Sequence, residues 1–420
     1  MNTASMARTR IPVPVLAVVF AGVSAALHLG KLPPAVPDLR ATLGVGLVEA
    51  GFLLSLVQLA GMTLGIGVGV VADSIGLRRS MLCGLVVVTC ASLLGGLVGV
   101  WVLDGRRAVV LLLALRALEG FGFLLAVMPG PGLIRRVATP AAERAALGLW
   151  GAYMPAGVAL ALLMGPQLIA STGWPGWWWS LSLVSAAAAW WVALAVPADT
   201  RSAVAGRAPH GEWAGRLRDT VRASGPWKVA LAFAVYSSQW MAVIGFLPAI
   251  YAEAGVPAGW NAGLTALAAA MNMVGNVMGG RLLQAGLAPH RLLRWGFVVM
   301  ACGSVAAFAQ FGTSPDATGL PPALRYAAIC LFSLGGGVVP ATLFMLGIRL
   351  APGPATVSTT VGLMQQASSL GQFVAPPAVA WIAYRMGGWQ WTWVVTLGCS
   401  LIGMALAARV APASRQWSTP

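Results

Sequence analysis

Charge is what this chain has least of. Only 9% of its 420 residues are Asp, Glu, Lys or Arg, against roughly 25% in an ordinary soluble domain. That scarcity excludes a water-soluble globular protein. Histidine is scarcer still: His28, His210 and His290 are scattered, and no His-Glu-x2-His run occurs. With a single carboxylate inside the apolar stretches, an intramembrane enzyme would lack both a base-nucleophile set and metal ligands. The five cysteines (Cys83, Cys90, Cys302, Cys330 and Cys399) all fall in apolar stretches without disulfide or zinc spacing, and they read as small buried hydrophobes. No Met-x3-Met pair occurs among the 16 methionines, Met271, Met273 and Met278 included, which argues against a copper path. No cofactor or metal is expected.

What is present is hydrophobic length. Hydrophobic residues make up 58% of the chain and mean hydropathy is +0.81. A helix needs about 20 apolar residues to cross a bilayer. Twelve stretches qualify, near 12–36, 47–72, 80–103, 108–133, 146–170, 176–196, 227–252, 259–281, 292–312, 322–348, 355–382 and 389–409. The expectation is an all-α membrane protein of twelve transmembrane helices.

The net charge of +15 invites a nucleic-acid reading, but its distribution argues otherwise. With both termini cytoplasmic, the basic residues crowd into inner segments while outer loops carry acids and bases equally. That is the positive-inside bias of a chain with an even number of spans, as expected in a bacterial inner membrane. The partner this distribution implies is the lipid bilayer, with no nucleic acid, and the chain is expected to be a monomer. Arg8, Arg10 and the apolar run ending Ser24-Ala25-Ala26 imitate a signal peptide; cleavage there would remove the first span and spoil the even topology.

The halves repeat. Gly120-Phe121-Gly122 recurs as Gly335-Gly336-Gly337, Gly173-Trp174 as Gly388-Trp389, Val36-Pro37 as Leu247-Pro248, and Gly69 with Gly76 as Gly279 with Gly286. Four matches in one order at nearly one offset predict two pseudo-symmetric six-helix bundles, 1–196 and 227–420. They are joined by a cytoplasmic linker at 197–226, where Trp213, Leu217 and Val221 share a face of a short amphipathic helix on the inner leaflet. Trp174, Trp177, Trp178, Trp179, Trp389, Trp391 and Trp393 gather at outer helix ends and read as an interfacial belt.

Between the second and third stretches runs Gly69-Val70-Val71-Ala72-Asp73-Ser74-Ile75-Gly76-Leu77-Arg78-Arg79. Glycines let two helices turn and approach closely. Asp73 can sit on a helix N-terminus, while Arg78 and Arg79 hold the loop inside. This Gly-x3-Asp-x2-Gly-x-Arg-Arg pattern resembles the loop between helices 2 and 3 of the major facilitator superfamily, with Ser74 where that family usually has Arg or Lys. The second half keeps the glycines but has Leu283 in place of Asp73. Gly69, Asp73, Gly76, Arg78 and Arg79 are therefore read as a conformational gate rather than a substrate site. The resemblance spans the whole chain and implies alternating access by two rocking halves around a central site.

Charges inside spans are costly and mark function by default. Arg116 and Glu119 lie three apart on the fourth stretch, near the midplane. Arg116-Ala117-Leu118-Glu119-Gly120-Phe121-Gly122 resembles the family's Arg-x3-Gly-x-Gly element, whose arginine is linked to proton coupling. A mutually neutralising structural pair is the other reading. His28 and Lys31 lie three apart on the first stretch. Lys31 either snorkels to the interface or attracts anions from the upper cavity; His28 either carries coupling protons or is a buried neutral residue. Glu119, His28 and Arg116 are the proton-coupling candidates. By the repeat, Gln239 corresponds to His28, and both should face the central axis. Arg116, Lys31, Gln239, Tyr236, Tyr153, Asn272 and Gln365 are the substrate-binding candidates, with Asn276, Gln366 and Gln372 nearby.

Three further runs, Pro129 to Arg136, Gly148 to Gly157 and Tyr236 to Trp240, resemble the cyanate and nitroimidazole porter group of bacterial major facilitators. That likeness implies small anionic or polar planar solutes. Gly165-Pro166 is followed by Gln167-Leu168-Ile169, without the paired glycines of the family's antiporter element. Proton-coupled uptake of a small anionic or polar solute is thus the expectation, with a proton-coupled exporter of drugs or metabolites as the alternative.

Overall fold

A bilayer offers no water to backbone groups, so a chain this apolar must satisfy them within helices. The computed structural model describes residues 11–65, 75–101, 105–139, 142, 146, 149–199, 212–310, 319–353 and 356–415, and among them no strand occurs. Gly69 and Asp73, Arg8 and Arg10, His210 and most of the 197–211 linker segment lie outside the described residues.

Among the described residues, ten helical spans are long and apolar enough to cross a membrane. The first four crossings are Val13–Leu43, Leu47–Gly65, Leu77–Val98 and Gly105–Val127. Tyr153–Ala195 is 43 residues of continuous assignment. At 1.5 Å per residue that is about 65 Å, twice the roughly 30 Å of a bilayer core. It therefore holds the fifth and sixth crossings, separated at Gly173, whose φ of 71° and ψ of 170° are not helical. A Cβ built on Gly165 would lie 3.6 Å from the Trp177 ring, whereas a straight helix would part these residues by about 18 Å. The chain folds back on itself there.

The helix Glu212–Arg222 follows. The second half comprises the seventh to tenth crossings, Ser224–Glu253, Ala258–Gln284, Pro289–Phe308 and Pro322–Leu350. The eleventh, Val357–Met386, carries glutamines and serines that dilute its hydropathy, and Thr392–Arg415 is the twelfth. This is an all-α membrane protein of twelve crossings in two six-helix bundles. The repeat is visible in the backbone: Gly76 and Gly286 both have positive φ, 103° and 87°. Gly173 and Gly388, at 71° and 157°, form a second such pair.

The two triplets Gly120-Phe121-Gly122 and Gly335-Gly336-Gly337 serve close packing. Gly120 meets the Val57 backbone and Gly122 the Gly84 carbonyl; Gly335 meets Val299 and Gly337 the Asn272 carbonyl. The halves meet chiefly where the second crossing lies on the eleventh, with Gly51 against Pro376 and Pro377 and Gly61 against Ser369. Val158 and Leu162 of the fifth crossing join a core cluster with Ala266 and Ala269 of the eighth.

Two expectations need correction. Trp174, Trp177 and Trp178 are buried, at 3%, 1% and 3% exposure; the hairpin at Gly173 turns these rings into the N-terminal bundle and away from any interfacial belt. The cysteines lie in the spans but not in the protein interior. Cys83, Cys90 and Cys302 are exposed on the helix surface, and Cys330 and Cys399 are half-covered; a thiol is apolar enough to face lipid.

A Cβ at Gly337 would run into backbone of the eighth crossing, whereas one at Gly280 would meet open space. Gly337→Ala should therefore cost about 1–3 kcal/mol. Gly280→Ala should be neutral or stabilise by up to about 1 kcal/mol. Thermal unfolding of the purified protein in detergent compares the two; equal effects would contradict the close-approach role.

Candidate functional site

Four candidates from the sequence converge in one place. His28 and Lys31 project from the first crossing beside the prolines at 33 and 34; Arg116 and Glu119 project from one face of the fourth. The Lys31 ammonium pairs with Glu119 Oε1, and Arg116 Nη1 donates to Glu119 Oε2 at 2.6 Å. Lys31 also donates to Ser92 Oγ on the third crossing at 3.1 Å, and its Nζ stands 4.6 Å from the centre of the Trp178 ring on the sixth. Ser92 in turn donates to the Trp178 carbonyl at 2.9 Å, and Trp177 Nε1 donates to the Lys31 carbonyl at 3.1 Å. Arg116 is further tied to the carbonyls of His28 at 2.7 Å and Leu53 at 3.2 Å. Five crossings of the N-terminal half thus meet at one carboxylate.

The cluster is dry: Lys31, Glu119, His28 and Arg116 are 0%, 1%, 1% and 2% exposed. Lys31 does not snorkel; it points into the bundle. Two permanent or readily charged bases face one acid, so with neutral His28 the cluster carries one excess positive charge. It also holds unused donors and acceptors. Nη2 of Arg116 is buried without a hydrogen-bond partner; the His28 ring makes no side-chain hydrogen bond, with Glu119 Oε1 3.9 Å from its Nδ1 and the Leu181 backbone beside it. Buried polar atoms are ordinarily satisfied, so these under-used nitrogens beside a net charge are donors that an anion could use.

Among the described residues, the buried polar groups of the C-terminal half are uncharged. Tyr236 and Asn272 exchange a hydrogen bond at 3.0–3.2 Å, and Asn272 donates to the Ser333 carbonyl at 3.1 Å. Gln239 accepts from Ser400 of the twelfth crossing at 3.0 Å and donates to the Val235 carbonyl at 3.1 Å. Gln239 and His28 were expected on the central axis. Gln239 instead turns to polar partners within its own bundle, and His28 lies beside the Glu119 carboxylate in the other. Tyr153 stacks on Trp150, centroids 4.6 Å apart, and Trp150 fills the space over Gly22 and Gly130. Gln365 is half-buried on the eleventh crossing.

The seam between the halves joins Gln366 and Gln372, named from the sequence, to Gln58, Ser369, Arg40 and Glu253, which the sequence reading passed over. Gln58 of the second crossing donates to Gln372 of the eleventh at 3.1 Å and accepts from Ser369 at 3.3 Å. Gln366 donates to the Met62 carbonyl at 2.8 Å. At the side away from the termini, Arg40 pairs with Glu253 at 3.0 Å, and Trp389 donates to the same carboxylate at 2.7 Å. A glutamine in the middle of the second apolar stretch was the available signal for Gln58; Arg40 and Glu253 gave none beyond being loop charges.

Of the gating residues, Gly76, Arg78 and Arg79 are described. They meet Asp199, just beyond the sixth crossing. Its carboxylate accepts from the backbone amides of Arg78 and Arg79 at 3.3 and 3.0 Å, and pairs with Arg136 at 2.6 Å. A Cβ on Gly76 would strike this carboxylate. Arg78 donates to the Ala193 carbonyl at 2.6 Å. Asp199 thus caps the third crossing, the place considered for Asp73. Burial would push its carboxyl up, but Arg136 and the two amides outweigh that and hold it below the ordinary carboxylate range.

These features are those of a membrane transporter fold, and sequence and structure comparisons agree. The profile of the Major Facilitator Superfamily matches residues 15–376, and the chain belongs to that family. It is 26% identical over 403 residues to the cyanate transport protein CynX of Escherichia coli K12, covering 94% of this chain and 97% of that protein. A bacterial homologue of the human lysosomal transporter Spinster shares the fold in two inward-facing structures. The occupied form superposes with a TM-score of 0.73 at 15% identity, and the unoccupied form with 0.72 at 14%. Each comparison covers 97% of this chain and 98% of the other.

Two predictions follow from the geometry. Glu119→Gln strands two buried cations and should cost about 3–5 kcal/mol; adding Lys31→Met should recover part of it, read by thermal unfolding. Asp199→Asn should cost about 0.5–2 kcal/mol near neutral pH. Because the folded-state carboxyl is depressed, its contribution is complete above the unfolded value near 4 and is lost as pH falls through the folded one. The gap between Asp199→Asn and the parent should therefore shrink below about pH 4. A gap that stays constant into that range contradicts the capping account.

Proposed function

We propose that this protein is a secondary transporter of a bacterial inner membrane that brings a small anionic or polar solute into the cell together with protons. The observation that carries the reading is the buried cluster of His28, Lys31, Arg116 and Glu119, with its excess positive charge and its under-used nitrogens. A charge inside a membrane is retained at high cost, and an arriving anion would neutralise it. The likeness to a cyanate transport protein points to a small monovalent anion of that kind.

In this reading residues 1–196 and 227–420 rock as two bodies joined by 197–226, with both termini cytoplasmic. The structure then represents the form closed on the outer side, where Arg40–Glu253 and the Gly51–Pro377 contact join the halves. Arg116 and Lys31 attract the solute, and protons are exchanged within the cluster that Glu119 and His28 complete. Tyr153, Tyr236, Gln239, Asn272 and Gln365 shape the surrounding polar environment. Gly69, Asp73, Gly76, Arg78 and Arg79 act as a gate on the N-terminal half.

The test is uptake of labelled cyanate by the purified protein in liposomes, with an inwardly directed proton gradient imposed or collapsed. Accumulation should follow the gradient, and Arg116→Ala should lower uptake by about tenfold or more, the equivalent of a lost charge-assisted bond. Uptake indifferent to the gradient, or unchanged in Arg116→Ala, overturns the reading.

A further inference from the structure

We infer that the coupling proton is carried by Lys31, and that Glu119 stays ionised throughout the cycle as the fixed counter-charge of Arg116. This deepens the proposed uptake of an anion and rests on it.

The argument is a count of charges and hydrogen bonds around one buried point. Among the described residues, the titratable and hydrogen-bonding groups that face Lys31 come from four crossings. From the first crossing comes His28; from the fourth, Arg116 and Glu119; from the third, the uncharged Ser92; from the sixth, the Trp178 ring. A guanidinium does not lose its proton in proteins, so Arg116 is permanently positive. Protonating Glu119 would leave Arg116 and Lys31 unneutralised, two positive charges in a fully buried site. It would also require a carboxyl whose two oxygens both accept from cations to give one of them up. Protonating His28 would likewise raise the count to two. Its two N–H groups would then both need acceptors, where no side chain hydrogen-bonds to either nitrogen and the Glu119 carboxylate is 3.9 Å away.

Lys31 is different. Its hydrogen-bond partners are two, Glu119 Oε1 and Ser92 Oγ, which is the number a neutral amine can donate to. The third proton of the ammonium faces only the Trp178 ring. Lys31 can therefore lose a proton and keep both bonds. The site is then neutral, with Glu119 against Arg116 alone. On loading, the amine takes one proton from the outer side and the site takes one anion, so the added charges cancel. On release, the ammonium returns its proton to inner water as the anion leaves. One anion and one proton cross together, and no net charge moves.

The test is the pH profile of anion binding by the full-length protein in lipid nanodiscs, with labelled cyanate as the probe between about pH 6 and about pH 10, the span below and up to an ordinary lysine value. By linkage, affinity should fall toward about tenfold per pH unit once Lys31 loses its proton. Lys31→Arg keeps the charge but not the titration and should flatten the profile. Lys31→Gln removes both and should give weak binding that is also flat, so the proposal stays testable if either variant alone folds poorly. A lysine that merely shaped the site would shift affinity without changing the slope. A flat profile in the parent protein, or a slope that persists in a Lys31 variant, overturns the assignment while leaving anion uptake intact. Absence of cyanate binding and uptake at every pH overturns the uptake reading, and the assignment falls with it.

Discussion

The Glu119 carboxylate, held between Lys31 and Arg116 with no access to water, is the constraint on which the N-terminal half depends. Between membrane helices there is little hydrophobic drive, since lipid tails are as apolar as leucine. Direct packing and polar contacts must hold the bundle. Here the first and fourth crossings are joined by opposite charges, the second through the Leu53 carbonyl, the third through Ser92 and the sixth through Trp178. The same contacts that organise the bundle leave it one charge out of balance. A purely structural cluster would pair its charges evenly, and the imbalance is what makes it a candidate for chemistry.

The C-terminal half solves the same packing problem without charge. Its buried polar groups, Tyr236, Asn272, Trp240 and Ser333 on one side and Gln239 with Ser400 on the other, satisfy one another. The positions matching Arg116 and Glu119 are Leu331 and Leu334, and Leu331 is exposed on the helix surface. The backbone is repeated while the electrostatics is not. Glycine contacts, which set how near two helices lie, occur in both halves, and, among the described residues, buried charges occur in one.

Most of the fold could be read from the sequence because it follows from hydrophobic length and from glycines that recur at a fixed offset. The separation of the fifth and sixth crossings at Gly173-Trp174 was legible, and so was the same-face placement of His28 with Lys31 and of Arg116 with Glu119. What spacing could not supply was the rotation of each helix about its axis. Lys31 read equally well as snorkelling, and Gln239 and His28 read as axial, because a three-residue spacing fixes a shared face but not its neighbour. Trp178 was assigned to an interface for the same reason: an aromatic at a helix end looks alike whether the next turn leads to lipid or back into the bundle. Asp199 was missed because its partners, the amides of Arg78 and Arg79 and the side chain of Arg136, come from two other segments distant in the chain.

The seam between the halves is built from weaker material than either bundle. Arg40 and Glu253 are 39% and 48% exposed, and such pairs contribute about 0–1 kcal/mol. The Gln58–Gln372, Ser369–Gln58 and Gln366–Met62 bonds are neutral, each with a net value of about 0.5–1.5 kcal/mol. Breaking the buried Lys31–Glu119–Arg116 pairing costs about 3–5 kcal/mol for a single lost partner. The order of these magnitudes decides where the molecule gives way. In the proposed cycle the amide seam and the exposed latch part first, and the N-terminal bundle moves as one body with its charged cluster intact. A proton or anion arriving at that cluster acts on a rigid bundle, so its effect is felt across the whole face that meets the second half.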